Sequence, residues 1–534
     1  MDATLLQKNA KSYDDFPYVS HPFAKSFPPL HQAIGQLFGL NPPDLTQARI
    51  LELGCASGGN IIPITFFYPE VEVVGVDLSQ VQIAQGLQIV EKMGLQQRVK
   101  LHHLSITDIP ESFGLFDYII CHGVYSWVPN FVQSGILDVI RKHLKSDGIA
   151  YISYNVYPGW KSLEIARDAM LFHTRDIQDP VAKVEHAKAM IGYMHEKAPE
   201  NTMFKRIMQD VDGLVQRSAP YYLAHEFLEI HNSPLYFSEM VNKAESHQLA
   251  YLNDAEISSS FAENWGVEIH RDLLNASHNQ QVVLEQYLDY LNNRQFRQSL
   301  FIPQTMSNRL QRHISAETVQ SCHFSISIKQ EQSPRPDAPG YTYFIFNHNA
   351  NQFYRTQNIA ELEALTVLCR FDNCFFNIKE YQQALKETVQ QHYSLEFITH
   401  LLLRLIISGL LHISGTPPIT NRPINYISER PMISDFNRHY FSLRNYIVNA
   451  RNEMLSLDLI QSILLPHLDG QQTLENLHAI LLHHHQEGKI KFNRNAADNG
   501  TADEITDLAD VQKLTAEFLN NALQNWCNSG VLVG

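Results

Sequence analysis

The 534-residue sequence predicts an α/β fold: a doubly wound sheet with a helical insertion, followed by α+β and winged-helix-like C-terminal domains. Three observations support this fold class. The apolar run at residues 50–53 leads into a glycine-rich turn, as buried parallel strands do at ligand sites. Strand and helix patterns then alternate from residue 49 to residue 156. Beyond residue 305, apolar helices that end in glycine recur at a fixed spacing.

Composition indicates a folded protein with several cores. Hydrophobic residues make up 44% of the chain and aromatic residues 10%, and this length predicts about two to four domains. A net charge of −15 without a long basic run predicts no binding to nucleic acid. The six cysteines form no Cys-x-x-Cys pair, and the first 30 residues contain no signal-length apolar stretch. We therefore expect a cytoplasmic protein without membrane insertion.

The turn after the first strand, residues 54–60, has the composition of a nucleotide-cofactor site. It lacks the Gly-Lys-Ser/Thr ending of a phosphate-binding P-loop. A pyrophosphate is disfavoured by Glu52, an acid two residues before the first glycine. Asp77 ends the second strand, where an acid binds ribose hydroxyls. Both acids fit S-adenosyl-L-methionine, whose sulfonium and ammonium groups are positive.

The pattern Glu52-x-Gly54-x-Ala56-x-Gly58 resembles the acid-x-Gly-x-Gly-x-Gly motif of class I S-adenosylmethionine-dependent methyltransferases, with alanine at the middle glycine. The resemblance implies a Rossmann-like sheet with the cofactor across its strand ends. Members usually carry an acid where Ser105 stands, so Asp108 either takes over that work or caps a turn. The cofactor candidates are Tyr18, Glu52, Gly54, Ala56, Gly58, Asn60, Asp77, Leu78, Ser105, Ile106, Asp108 and His122.

The remaining elements of this first domain follow in order. Residues 1–40 predict an arm or lid, and the resemblance favours Tyr18 as a contact. A helix over residues 79–93 opens with a Ser79–Gln82 capping box and stops at Gly94. Strands are expected near 99–104, 116–121 and 149–154, with a helix near 131–144. Together they predict a parallel sheet with its ligand at the carboxyl ends of the strands.

Polar and aromatic residues follow strands four and five, where the methyl acceptor would meet the cofactor. His122 invites assignment as a general base, but a histidine that lines the cofactor or is satisfied by the backbone is the favoured interpretation, because no orienting partner is identified. The aromatic residues either form a core corner or wall an acceptor pocket, and ring faces attract lysine ammonium. The candidates for orienting the acceptor are Tyr125, Trp127, Tyr154, Asn155 and Tyr157.

Residues 161–235 predict a helical insertion that acts as a lid, a substrate platform or a homodimer interface, and the sequence does not choose among these. A helix at 237–247, a sixth strand at 249–252 and a seventh strand near 296–301 complete the sheet. Residues 323–329 alternate as an exposed strand would, and 330–340 is a proline-rich loop before a return strand at 341–346. Two similar units then predict tandem winged-helix-like modules.

The predicted division of the chain is 1–160 cofactor domain with its lid, 161–235 insertion, 236–304 end of the catalytic sheet and regulatory region, 305–355 middle α+β segment, and winged-helix-like modules at 356–420 and 421–534. This order resembles bacterial methyltransferases with a regulatory domain, including the rickettsial-type protein-lysine methyltransferases of outer-membrane proteins. The resemblance implies a protein substrate with lysine acceptors. A small-molecule methyltransferase and a non-catalytic S-adenosylmethionine sensor remain alternatives, and no metal is indicated.

Overall fold

The computed structural model describes residues 19–229, 231–331, 340–389, 391–493, 505 and 507–534. Tyr18 and residues 332–339 of the predicted proline-rich loop therefore lie outside the described residues. The helices are α1 Pro28–Leu37, α2 Ile64–Phe67, α3 Gln80–Lys92, α4 Asn130–His143, α5 Trp160–Thr174, α6 Pro180–Lys197, α7 Met203–Arg217, α8 Pro220–Phe227, α9 Phe237–Ser246, α10 Val267–Ser277, α11 Gln281–Asn292, α12 Ala316–Gln320, α13 Ile359–Leu368, α14 Ile378–Thr388, α15 Leu395–Ile407, α16 Asp435–Arg444, α17 Leu459–Leu464, α18 Leu474–Gln486 and α19 Leu508–Asn528.

The strands are β1 Arg49–Leu53, β2 Glu72–Asp77, β3 Val99–His103, β4 Phe116–Cys121, β5 Leu144–Asn155, β6 Leu249–Asp254, β7 Phe296–Pro303, β8 His323–Ser325, β9 Ile328–Gln330, β10 Thr342–Phe346, β11 Asn349–Thr356, β12 Phe375–Asn377, β13 His412–Ser414, β14 Ile447–Val448 and β15 Met454–Leu455. Seven of them form the central sheet in the order β3-β2-β1-β4-β5-β7-β6. Strands β1 to β5 are parallel, which confirms the predicted sheet. Their carboxyl ends therefore meet along one edge.

Strand β7, the predicted seventh strand, lies between β5 and β6 and runs antiparallel to both. Its Arg297 is fully buried and paired with two acids of α11, donating to Glu285 at 2.9 Å and to Asp289 at 2.8 Å. A buried guanidinium is tolerated only when its donors are satisfied in this way. The pairs therefore fix α11 against the antiparallel edge of the sheet.

Helix α3 begins and ends where the sequence predicted. The Ser79 hydroxyl accepts from the Gln82 amide at 3.2 Å, and Gly94 has φ +66°. The capping box is incomplete, however, because the Gln82 side-chain oxygen does not accept a hydrogen bond from the Ser79 amide. Gln82 instead lines the cavity described below.

The predicted insertion contains four helices, α5 to α8, which share a core of their own. Trp127 and Tyr157, from the loops after β4 and β5, pack against this core. The four helices thus lie beside the carboxyl edge of the sheet. Within the described ranges, no helix is long and apolar enough to cross a membrane.

The C-terminal half repeats one arrangement of elements. Strand β8 pairs antiparallel with β12 and with β13, and in the second unit Met432 and Ile433 bridge to Asp469 and Leu532 in the same way. The prediction of one exposed strand over 323–329 is wrong. The segment forms two short strands, and Phe324 and Ile328 are buried because sheets and helices cover both faces. The return strand is confirmed as β10, which pairs with β9.

Candidate functional site

A cavity of about 460 Å³ lies at the carboxyl edge of the sheet. Loops after β1 to β5 form one side, and residues of the leader and of α7 and α8 form the other. The predicted residues that line it are Glu52, Gly54, Ala56, Asn60, Asp77, Leu78, Ser105, Ile106, His122, Trp127 and Asn155. Residues from five separate loops therefore converge on one chamber.

Three predicted acceptor residues do not line this chamber. Tyr125 and Tyr154 are buried in the sheet core, with ring centroids 6.2 Å apart, and the Tyr154 hydroxyl bonds to Ser299 at 2.8 Å. Tyr157 donates to Glu164 at 2.5 Å, and its ring lies under the Lys161 ammonium. Alternation along β5 explains Tyr154, because successive side chains point to opposite faces.

Two predicted cofactor residues also lie off the wall. Gly58 has φ +77°, and its amide donates to the Cys55 carbonyl at 2.8 Å. Gly58 therefore shapes the turn and does not line the cavity. Asp108 accepts from the Thr107 hydroxyl at 3.2 Å, on an exposed short helix. Ser105 and Ile106 are the residues of this loop that reach the cavity.

Ala56 adopts a left-handed conformation, φ +50°, at the position where the motif usually has glycine. Its amide donates to the Asp77 carboxylate at 2.8 Å, so the conformation serves to join the turn to β2. Gly54, with φ +76°, could not be replaced so easily, because an added Cβ would collide with the Val124 side chain. One methyl group in the left-handed region costs about 1–2 kcal/mol.

We expect Ala56→Gly to leave the free energy of unfolding unchanged or raise it by up to about 1 kcal/mol, because relief of strain offsets the added chain entropy. Thermal denaturation and binding of S-adenosylhomocysteine measure the effect, with affinity expected to stay within about twofold. Ala48→Gly is the matched control, since Ala48 has φ −73° and gains nothing from glycine. An equal loss of melting temperature in both variants would contradict the strain at Ala56.

The acid Glu52 is buried and only half satisfied. Its Oε1 accepts from the Asn60 amide at 2.7 Å, whereas Oε2 has no partner among the described residues. Burial raises the pKa of Glu52 to about 8, with the Asn60 bond lowering it and the Asp77 charge raising it. Burial also raises the pKa of Asp77, which accepts from the amides of Ala56 and Ser79 at 2.8 Å. Neither acid forms an ion pair with a lysine or arginine among the described residues, so the two carboxyls suit a ligand that carries positive charge.

His122 packs against Phe23 with the rings tilted by 34° and their centroids 3.7 Å apart, and its Nδ1 lies 2.8 Å from the Tyr151 hydroxyl. Gln298 donates to that hydroxyl at 2.9 Å, so the phenol proton is free to point at Nδ1. Burial lowers the pKa of His122 to about 3. The ring is therefore neutral near pH 7, with one nitrogen as a donor and the other as an acceptor at the cavity wall.

Sequence reasoning missed the part of the cavity that α8 supplies. Tyr222 and Glu226, four residues apart on one helix face, both line the cavity. Phe227 lies 6.1 Å from Trp160, which lies 6.2 Å from Trp127. We call these three rings the aromatic wall. The signal was present in residues 221–227, which combine three aromatic rings with a histidine and an acid in one apolar helix.

Three family models match the chain. A methyltransferase domain model matches residues 45–222, a predicted methyltransferase regulatory domain matches 219–302, and a PKMT C-terminal winged helix domain matches 429–531. The third match places a winged helix at the end of the chain, as the predicted fold class required. The cavity lies mainly on the first of these segments and is closed by the start of the second.

Relatives and solved structures agree with these models. The chain is 29% identical to Uncharacterized protein RP789 of Rickettsia prowazekii (strain Madrid E), over 98% of this chain and 93% of that protein. It is 39% identical to RP028 of the same organism, over 45% of this chain and 96% of that protein. The structure of PKMT2 from Rickettsia typhi in complex with AdoHcy superposes with TM-score 0.83 at 28% identity, covering 97% of this chain and 100% of that chain.

The fold and the site define a class I S-adenosylmethionine-dependent methyltransferase. The chain belongs to the bacterial methyltransferase family that carries a methyltransferase regulatory domain and a C-terminal winged helix, with rickettsial members. Its cofactor is S-adenosylmethionine, and the partnerless Oε2 of the Glu52 carboxyl fits the positive groups of that cofactor.

Proposed function

We propose that this enzyme methylates lysine side chains of proteins, with surface or outer-membrane proteins as acceptors. The observation that carries the proposal is the Glu226 carboxyl, which faces the cavity beside the aromatic wall. Aromatic faces and a carboxylate together attract a positively charged amine, whereas a neutral hydroxyl carries no charge for the ring faces to attract. The similarity to PKMT2 over nearly the whole chain supports the same substrate class.

Glu226 is suited to handling the proton that a lysine must lose. Its side chain forms no ion pair or hydrogen bond among the described residues, and burial raises its pKa to about 7, against the opposing charge of His225. A free lysine has a pKa of about 10.4, and burial of the amine in the same chamber lowers that value. The pKa values of acid and amine therefore approach each other, which makes proton transfer from ammonium to Glu226 feasible near neutral pH.

Positioning supplies the rest of the mechanism. Bound S-adenosylmethionine supplies an electrophilic methyl group on its sulfonium. The cofactor would be held at the strand ends by Glu52, Asp77, Asn60 and the turn residues. In the same chamber, Trp127 and Asn155 would restrict the position of the acceptor amine. Asn155 is fixed by bonds to Ser126 and Asn232 at 2.8 and 3.1 Å. Such alignment for in-line transfer contributes roughly 7–11 kcal/mol in favourable cases.

The finer assignments are part of this proposal. Trp127 and Asn155 remain the acceptor residues, and Tyr222 and Glu226 join them in place of Tyr125, Tyr154 and Tyr157. The insertion α5 to α8 acts as a substrate platform, because α8 supplies the acceptor side of the cavity. Methylation before export, in the cytoplasm, would let a soluble enzyme reach envelope proteins.

The test is incubation with methyl-labelled S-adenosylmethionine and separated envelope and cytosolic protein fractions, followed by mass spectrometric localisation of the label. We expect label on lysines of envelope proteins. The matched reaction uses the same extract freed of proteins. Label confined to that metabolite pool would replace the proposal with a small-molecule methyltransferase. Cofactor binding without label in any fraction would favour a sensor.

A further inference from the structure

The C-terminal winged-helix region reaches the back of the cofactor turn. Arg444, the last residue of α16, donates to the Ser57 hydroxyl at 2.7 Å and to the Ser57 carbonyl at 2.6 Å. Tyr446 donates to the Ser20 carbonyl at 3.1 Å, and the Ser20 hydroxyl accepts from the Gly59 amide at 2.8 Å. Residues about 390 positions apart in the sequence thus hold one short turn.

The turn has two faces with different neighbours. Gly54, Cys55, Ala56 and Asn60 line the cofactor cavity. Ser57, Gly58 and Gly59 do not line the cavity, and Ser57 is 2% exposed. An added Cβ at Gly59 would collide with the Ser20 backbone, so the packing on this second face is tight. The C-terminal contact therefore supports the turn from behind.

Asn60 joins the two faces. Its Nδ2 donates to the unsatisfied acid Glu52, and its Oδ1 accepts from the Phe23 amide at 2.9 Å and from the Asn452 side chain at 3.3 Å. Asn452 is fully buried. A chain of hydrogen bonds thus runs from Asn452 in the C-terminal region through Asn60 to the Glu52 carboxyl. Displacement of Asn452 would leave Asn60 held by Phe23 and Ser26 and would loosen the amide that donates to Glu52.

We propose that Arg444 and Asn452 are positioning residues of the cofactor site, so that the C-terminal winged-helix region sets the affinity for S-adenosylmethionine. Charged hydrogen bonds to a backbone carbonyl are among the stronger contacts that can order a turn. A turn ordered in advance does not lose that conformational freedom when the cofactor binds. By linkage, a protein that docks on the C-terminal region and moves α16 would alter cofactor affinity, and cofactor would alter its docking equally.

The test measures binding of S-adenosylhomocysteine to the full chain by calorimetry, with melting temperatures recorded in parallel. Arg444→Ala is expected to raise the dissociation constant roughly tenfold, the equivalent of one charged hydrogen bond. Arg444→Lys, which keeps the charge and one donor, is expected to recover part of that loss. Asn452→Gly is expected to weaken binding about threefold; glycine is chosen because Asn452 has φ +58°.

Two controls separate positioning from general destabilisation. Arg438→Ala removes another guanidinium of α16. Among the described residues, that guanidinium bonds only within its own unit, to Ile433, Leu468 and Asp435. Tyr68→Phe removes a 2.8 Å bond to Thr416 elsewhere between the sheet domain and the C-terminal half. Both are expected to bind within twofold of the parent chain, even where their melting temperatures fall as far as that of Arg444→Ala.

Binding of the Arg444→Ala and Asn452→Gly chains within twofold of the parent would overturn the inference. So would weakening by Arg438→Ala equal to that by Arg444→Ala, because the effect would then follow stability alone. The readout is binding of a product, without turnover. The test of the inference therefore does not depend on which molecule accepts the methyl group.

Discussion

Glu226→Gln is expected to lower the methyl-transfer rate by roughly 100-fold or more, the usual contribution of a positioned proton acceptor. Glutamine has the same shape but cannot accept the proton of the lysine ammonium. Cofactor affinity should stay within about twofold, because the cofactor residues lie on the strand-end side of the cavity. Single-turnover transfer to a peptide from the labelled acceptor measures the effect.

The pH profile gives a second readout of the same residue. Because burial holds the pKa of Glu226 at about 7, the base form accumulates above that value. We expect the rate of the parent enzyme to rise with pH through about 7 and then level off, and we expect Glu226→Gln to lack that rise. Glu185→Gln, an exposed acid on α6, is the control. A full rate for Glu226→Gln would remove Glu226 from the mechanism.

Glu52→Gln is expected to weaken binding of S-adenosylmethionine by about 10- to 100-fold, because a charged hydrogen bond contributes about 1.5–3 kcal/mol. The amide oxygen can still accept from Asn60, so the turn should keep its shape. Glu72→Gln, whose partners Arg49 and Lys100 lie at the other end of the sheet, is the control. Equal affinities for the parent and Glu52→Gln would show that this carboxyl faces no cation.

Proton release accompanies this binding. With a pKa of about 8, Glu52 is mostly protonated in the free protein at pH 7, and a neighbouring cation favours its ionised form. Binding should therefore release about one proton, and affinity should rise with pH up to about 8. Calorimetry in buffers of different ionisation enthalpy counts the proton, which Glu52→Gln should lose. Release with S-adenosylhomocysteine as well would assign Glu52 to the ammonium rather than the sulfonium.

The raised pKa of Glu52 has the opposite effect on folding: stability of the free protein falls with rising pH, whereas cofactor affinity increases. The pKa of Glu52 is higher in the folded protein than its ordinary value of 4.5, so the folded state binds the proton more tightly. The free protein should lose stability as pH rises from about 4.5 towards 8, and bound cofactor should restore it.

Local patterns predicted the sheet well. Each signal that predicted it depends on only a few neighbouring residues. These signals are the apolar runs of β1, β2 and β4, the Ser79 cap and Gly94. The two acids that line the cavity were predictable for the same reason, since Glu52 and Asp77 lie where strands β1 and β2 end. The prediction of an exposed strand at 323–329 was wrong, because alternation of polar and apolar residues cannot reveal that a second layer covers the outer face.

The acceptor side was predicted only in part. Trp127 and Asn155 follow strand ends and line the cavity, but Tyr154 points into the core and Tyr125 packs against it. Tyr222 and Glu226 come from the insertion, and no pattern in the sequence fixes where a helical insertion folds back. Long-range packing of α8 against Trp160 decided their place.

The sequence by itself determined the class of fold, the cofactor and the two acids at the strand ends, because period, turn chemistry and strand termini are local properties. The tertiary structure alone decided which aromatic rings face the cavity, that Glu226 joins them, and that Arg444 holds Ser57 from behind. Those arrangements depend on contacts between segments separated by tens to hundreds of residues. Local sequence places no constraint on such contacts, so only the packed chain could reveal them.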